Sequence, residues 1–174
     1  MFRGEKPLDR IVDFPSEDLV GRLIVHYFFP ADFLYRDYCR ISRAFAAQKR
    51  HTRWRASQLT CYQRLWLASL FTVAEGFLAL RLQDEEIGNL LNSEHFDSLR
   101  HFRNGTFHYQ KQPRKHVQFF LDEGAFSEAR LEWAQALHEA FDRFHLEYRS
   151  QTISRNIDAL AAAWRRKRRG DESN

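Results

Sequence analysis

The stretch at residues 55–82, "RASQLTCYQRLWLASLFTVAEGFLALRL", decides the fold class of this chain. Its apolar residues recur at steps of three and four, which is the period of an α-helix. They form two stripes, the first of Leu59, Tyr62, Trp66, Leu70, Val73, Phe77 and Leu80, and the second of Leu67, Phe71, Leu78 and Leu82. A helix that is apolar on two faces needs packing partners on both sides. The stretch therefore predicts the central helix of a helical bundle.

The remaining sequence also favours helices. The four prolines are at positions 7, 15, 30 and 113, so residues 31–112 contain none, and proline is the residue that most often ends a helix. Around the central helix we predict the following segments: a helix capped by Ser16 and ended by Pro30, a second helix from Ala31, a polar connection at 48–55, a loop at 83–95, a helix opened by Ser93, a long helix from about Ser127, and a last helix that carries Ile153 and Trp164.

These segments predict an all-α protein, a helical bundle of five or six helices. A chain of 174 residues is long enough for one domain with its own core. We predict an N-terminal extension at 1–14, a single bundle domain at 15–165 and a charged, flexible tail at 166–174. The tail includes most of the basic run "RRKRR" at 165–169.

The positive charge of the chain comes almost entirely from arginine. There are 22 Arg and 5 Lys, and the formal net charge is +4. The planar guanidinium fork suits phosphates, so the excess is compatible with nucleic-acid binding, although a GC-rich genome also favours arginine codons. Trp54 either stacks on a base or caps the central helix. The candidate nucleic-acid contacts are Arg53, Trp54, Arg55, Arg114 and Lys115.

Several classes of protein are disfavoured by what the sequence lacks. The charged N-terminus has no apolar signal region, and charged residues or histidine interrupt the apolar stretches, so we expect no membrane association. Cys39 and Cys61 lie in predicted helices without CxxC spacing and are expected to be free thiols. We therefore predict a cytoplasmic protein. There is also no Gly-rich phosphate loop and no G-x-S-x-G motif.

The most informative functional stretch is "RNGTFHY" at 103–109. On a helix opened by Ser93, Arg103 follows Phe96 by seven residues and Leu99 by four, so it shares their apolar face. We therefore expect Arg103 to point towards the core or an interface, with Phe107 continuing that face. Gly105 weakens the helix locally, and we expect His108 to lie just past the weakened turn.

The combination of Arg103, Asn104 and His108 resembles the R-x4-6-H signature of HEPN domains, in which a polar residue often follows the arginine. The resemblance implies a small helical bundle, commonly a homodimer, with two copies of the motif facing each other across a cleft. Active members of the family resemble metal-independent endoribonucleases, and others are silent RNA-binding or scaffolding forms. Because relatives include toxins, a cognate inhibitor protein is a candidate partner. Tyr109 follows His108 directly, whereas in members regulated by tyrosine modification one residue intervenes.

In such a site Arg103 would clamp the phosphate, His108 would carry a proton, and Asn104 would orient His108 or the phosphate by hydrogen bonding. No cofactor is implied. An alternative gives Arg103 a structural role. Glu75 falls on the second apolar stripe of the central helix, and a carboxylate buried there would need a cation such as Arg103. In that case the chain is a catalytically silent interaction or scaffolding module.

A metal site is a weaker candidate. His138, Asp142 and His145 are spaced by four and three residues and share one face of a predicted helix, which is a spacing that metal ligands use. No matching set of ligands occurs elsewhere in the chain. We therefore predict a solvated helix face at these positions and no bound metal.

Overall fold

The computed structural model describes residues 18–48, 52–108 and 125–171, and in the last range it describes the side chains of 128–156 and 158. Within these ranges the chain forms five helices and no strands, which confirms the predicted all-α bundle. No helix in the described ranges is both long and apolar enough to cross a membrane. The boundaries of the domain remain a prediction.

The first helix is continuous through Pro30, so the prediction that this proline ends it is wrong. It consists of α1 (Leu19–Leu23), a π-helical turn (Ile24–Phe28) and α2 (Phe29–Ala46). In the π turn the N–H of Phe29 donates to the carbonyl of Ile24, five residues back. Pro30 comes directly after this change of register, at the start of α2, where its missing N–H does least harm.

The cap of this helix is Asp18, whose carboxylate accepts a hydrogen bond from the N–H of Gly21 at 2.7 Å. A side-chain oxygen that accepts from the first turn stabilises a helix start. The predicted cap, Ser16, lies outside the described residues.

The central helix predicted from residues 55–82 is α3 (Arg53–Ala79). It packs against α1, the π turn, α2 and α5 (Glu94–Phe107). Both stripes contribute to the core, although Leu78 is an exception because it is 49% exposed. The fully or nearly fully buried residues of α3 are Trp66, Leu67, Ala68, Leu70, Phe71, Val73, Ala74 and Phe77.

Two backbone features fix the C-terminal end of α3. A side chain added at Gly76 would collide with the end of the buried Leu23 side chain, so glycine lets Leu23 of α1 pack directly on the backbone of α3. Arg81 has a φ of 53°, and the N–H of Leu82 donates to the carbonyl of Phe77 at 3.1 Å. This is a Schellman ending, which turns the chain out of the helix.

Residues 83–95 are more helical than predicted. They contain α4 (Glu85–Leu91), which is seven residues long. Asp84 caps it by accepting from the N–H of Ile87 at 2.9 Å, and two acidic residues occupy the first turn. A capping carboxylate and acids near the positive helix end stabilise a short helix. Ile87 is fully buried and anchors α4 to the core.

The C-terminal part of the chain is a single helix, α6 (Ala125–Asp171), of 47 residues. The prediction of a separate last helix is wrong, because no proline or glycine interrupts residues 126–169. The backbone of 166–171, within the predicted tail, is helical as well. Leu137 and Phe141 of α6 are fully buried, and the Phe141 ring lies 5.6 Å from that of Phe77.

Candidate functional site

The motif lies at the C-terminal half of α5. Ser93 caps this helix as predicted, by accepting from the N–H of His95 at 3.2 Å. Leu99 is fully buried, and the ring of Phe96 stacks on that of Phe71 of α3 with centroids 5.3 Å apart. These apolar contacts hold one face of α5 against the central helix. The orientation of the motif residues is therefore set by the core.

Arg103 is held in one orientation by three contacts. Its Nη1 donates to Oδ1 of Asn104 at 2.9 Å, and its Nη2 donates to Oε2 of Glu75 at 3.2 Å. Its guanidinium carbon lies 5.7 Å from the ring centroid of Phe71. The side chain is 27% exposed, so it is partly buried, as predicted. A fixed guanidinium of this kind is prepared to receive an anion without first losing rotamer freedom.

The predicted pair of Arg103 and Glu75 is present, but Glu75 is not buried. Its side chain is 46% exposed, and Leu78, the next residue of the second stripe, is 49% exposed, so this end of the stripe is not buried. The carboxylate therefore does not depend on Arg103 to offset a large desolvation cost. An ion pair this exposed contributes at most about 1 kcal/mol to stability.

His108 lies just past the end of α5, where its backbone is extended. Its N–H donates to the carbonyl of Asn104 at 3.1 Å, and its side chain is exposed. Gly105 does not break the helix before this point, which continues to Phe107. Phe107 is 51% exposed, so it does not continue the buried face as predicted.

Within the described residues, no hydrogen bond joins the ring of His108 to Arg103. Five residues on a helix correspond to a rotation of about 140° beyond one full turn. Arg103 contacts Phe71 and Glu75 of α3, and from the helix period we expect His108 on a different side of the helix end. One chain presents an oriented guanidinium and an accessible imidazole, with no hydrogen bond between them among the described residues.

The basic residues at the start of α3 are accessible. Arg53, Trp54 and Arg55 are all exposed, and the side chain of Trp54 is 76% exposed. The cap of α3 is Thr52, whose hydroxyl accepts from the N–H of Arg55 at 3.3 Å. Trp54 therefore does not cap the central helix. The other predicted site residues, Tyr109, Arg114 and Lys115, lie outside the described residues.

His138 and His145 of α6 are buried, so the prediction of a solvated face is wrong. Each is 2% exposed. The indole N–H of Trp66 donates to Nδ1 of His138 at 3.3 Å, so Nε2 carries the proton and donates to Asp32, also at 3.3 Å. Burial lowers the pKa of His138, although Asp32 opposes the shift. No group of three metal-binding side chains occurs in the described part of the chain, and Asp142 does not join the two histidines.

His145 is a buried polar side chain with no hydrogen-bond partner for either ring nitrogen among the described residues. Its ring lies 4.1 Å from that of Phe28 in the π turn and 6.0 Å from that of Phe141. Burial, with a smaller contribution from His138, lowers its pKa to about 3. The imidazole is therefore neutral in the folded protein at every pH near neutrality.

This burial predicts a loss of stability in acid. The pKa of His145 is lowered to about 3 in the folded state, against about 6.5 when unfolded, so the unfolded chain binds the proton first. Stability is complete above about pH 6.5 and decreases as the pH falls towards 3, by up to about 1.4 kcal/mol per unit. Urea denaturation across this range measures the slope. His145→Phe should reduce it, and an unchanged slope in that variant would contradict the assignment.

Comparisons with known proteins find no relative of this chain. No protein-family model, no curated protein and no solved structure matches it.

Proposed function

We propose that this chain is an HEPN-like RNA-binding protein and a metal-independent endoribonuclease that uses Arg103, Asn104 and His108. The observation that carries the proposal is the state of Arg103, whose guanidinium is partly exposed and oriented by Asn104 and Glu75. It lies on the helix whose end carries the exposed His108. An oriented cation can stabilise the charge on the phosphate and an accessible imidazole can carry a proton, which suits RNA cleavage without a metal.

In the proposed reaction the ribose 2′-OH attacks the adjacent phosphorus, and the bond from phosphorus to the 5′-oxygen breaks. The products are a 2′,3′-cyclic phosphate and a 5′-hydroxyl. His108 accepts the proton of the 2′-OH as a general base and then returns a proton to the leaving 5′-oxygen as a general acid, so one imidazole carries both transfers. The second N–H of each terminal nitrogen of Arg103 binds the phosphate oxygens and stabilises their growing charge, whereas the Nε–H is buried.

The proposed active species is a homodimer. Because Arg103 and His108 lie on different sides of the end of α5, a cleft that contains both is best formed by two copies of the chain. We propose that the dimer works in the cytoplasm. Cys39 and Cys61 are both free thiols, and Cys61 is exposed, which suits a reducing compartment.

A second candidate function is a catalytically silent interaction or scaffolding module. It is favoured by the ion pair itself, because both terminal nitrogens of Arg103 already have acceptors in Glu75 and Asn104. In this case the motif would fasten α5 to α3, and RNA cleavage would be absent. The two candidates differ in the expected effect of removing the guanidinium. It should slow RNA cleavage in the nuclease, and it should affect only stability in the silent module.

Under the nuclease proposal, Arg103→Gln should cost about 1 kcal/mol of stability or less, because its ion-pair partner is exposed. The same variant should slow RNA cleavage by about 10²–10³-fold, the usual effect of losing one group that stabilises the transition-state charge. Urea denaturation and cleavage rates measure the two effects. Glu75→Gln is the matched control, since it removes the ion pair but keeps the guanidinium. Equal effects of both variants on stability, with no cleavage by the wild type, would support the silent module.

The direct experiment is incubation of the purified full chain with end-labelled RNAs of varied sequence in EDTA. The proposal predicts fragments that end in 2′,3′-cyclic phosphate and begin with 5′-hydroxyl. Fragments that carry 3′-hydroxyl ends, or activity that disappears in EDTA, would contradict a metal-independent mechanism.

A further inference from the structure

A pocket of about 520 Å³ lies between α3 and the C-terminal turn of α5. The α3 residues that line the pocket come from the first turns of that helix, and α5 contributes one lining residue. The polar and thiol side chains that line it are Arg53, Ser57, Thr60, Cys61, Arg64 and Thr106. None of these residues belongs to the Arg103, Asn104 and His108 motif.

The pocket is positively charged. Arg53 and Arg64 line it, and no described lining residue is acidic. Its outer end coincides with the start of α3, where unpaired N–H groups add partial positive charge. The Nε of Arg64 is buried and has no hydrogen-bond partner among the described residues. Buried donors are normally paired, whereas no described acceptor holds the Arg64 side chain at this nitrogen.

The hydroxyl groups of the pocket are not equivalent. Thr60 donates to the carbonyl of Ala56 and Thr106 to that of Phe102, both at 3.0 Å. Their protons therefore remain within their own helices. Ser57 is exposed and can donate to a ligand. The donors available to a ligand are thus two guanidinium groups and one hydroxyl, which is a set that suits phosphate oxygens.

The pocket is next to the motif. Thr106 lies on α5 between Arg103 and His108, about 4.5 Å along the helix axis from Arg103. We infer that this pocket binds a backbone phosphate of single-stranded RNA, next to the phosphate held at Arg103; this inference rests on the proposed function. Trp54 lies beside Arg53 at the outer end and is 76% exposed, so it is available to stack on a base of the same strand.

Cys61 provides a direct probe of the pocket. It lines the pocket and is exposed, whereas Cys39, on α2, is outside the pocket and serves as an internal control. The wild-type chain is labelled with a maleimide in the presence of 2′-O-methyl RNA, which cannot be cleaved, or of inorganic phosphate. RNA should slow the labelling of Cys61 and leave that of Cys39 unchanged. Labelling of Cys61 at an unchanged rate while RNA is bound would overturn the inference.

Ser57→Glu tests the charge of the pocket without removing a buried group. Because Ser57 is exposed, the variant should fold, and the added carboxylate should weaken binding of 2′-O-methyl RNA by about tenfold or more. Ser154→Glu adds the same charge at an exposed site on α6 and should leave binding unchanged. Arg53→Gln should lower the dependence of log Kd on log salt by about 0.7, the value for one phosphate contact to a single strand. Equal binding by Ser57→Glu and Ser154→Glu would overturn the inference.

The outcomes separate this inference from the proposed function. Protection of Cys61 by RNA without cleavage of ordinary RNA would keep the pocket and reject the nuclease. Cleavage of ordinary RNA without protection of Cys61 would support the nuclease and overturn the inference about the pocket. Protection by inorganic phosphate alone would assign the pocket to a small phosphate ligand and overturn its role in RNA binding.

Discussion

His108→Ala is expected to slow RNA cleavage by about 10²–10⁴-fold, the range in which a positioned proton carrier contributes to a reaction. The reason is that His108 is the only one of the three motif residues that has an imidazole to carry the proton. The measurement is the initial rate of formation of cyclic-phosphate ends in EDTA. Because His108 is exposed and follows the last residue of α5, its removal should leave the unfolding midpoint nearly unchanged.

His26→Ala is the matched control for this variant. His26 is also an exposed histidine, and it lies in the π turn between α1 and α2. Its removal should leave the rate of cleavage at the wild-type value. Equal rates for the two variants, or a marked loss of stability in His108→Ala, would show that His108 does not carry the proton.

Trp66→Ala is expected to lower the free energy of unfolding by about 3–5 kcal/mol, the usual cost of removing a large ring from a core. Trp66 is fully buried in α3. Its ring lies 4.7 Å from that of Tyr35 and 5.3 Å from that of Tyr38, and its N–H donates to His138. The substitution therefore leaves a cavity between three helices and a buried imidazole nitrogen without a donor. Urea denaturation monitored by circular dichroism measures the change.

Trp54→Ala is the control, because the side chain of Trp54 is 76% exposed. It should change stability by about 0.5 kcal/mol or less. Trp66→Phe separates the cost of losing the hydrogen bond to His138 from the cost of losing the ring. It keeps a ring but removes the donor to His138, which should cost about 1–3 kcal/mol. If Trp66→Ala were no more costly than Trp54→Ala, α3 would not be the centre of the bundle.

The helical fold could be predicted because the period of the apolar residues is a local property of the sequence. In α3 this period alone identified the helix, its two faces and its central position. The N-cap of α5 was also readable, because Ser93 precedes two acidic residues of the first turn. Each of these features depends on residues that are close together in the chain.

Features that depend on long-range contacts could not be read in the same way. A proline normally ends a helix, but the π turn before Pro30 changes the hydrogen-bond register, and the helix continues. His138 and His145 were assigned to a solvated face because histidine is polar. They lie three and four residues from Phe141, which is the spacing of one buried stripe, and this signal could have identified them. The donor that pairs with His138 comes from Trp66, 72 residues away in sequence.

The candidate site was predictable in its residues and only partly in its geometry. The helix period correctly placed Arg103 against α3 and within reach of Glu75. It could not show how much of Glu75 the neighbouring helices cover, because that depends on the packing of α5. The pocket beside Thr106 could not be predicted, because its arginines are 11 residues apart on α3 and meet α5 only in the folded chain.

We propose that Arg103 and His108 act together at the dimer cleft, one from each copy of the chain. The most direct test mixes chains that carry Arg103→Gln with chains that carry His108→Ala, after unfolding and refolding them together. Neither variant should cleave RNA alone, and the mixture should recover part of the wild-type rate, because each mixed dimer contains one complete site. A mixture in which mixed dimers are verified by mass but no cleavage returns would contradict the account.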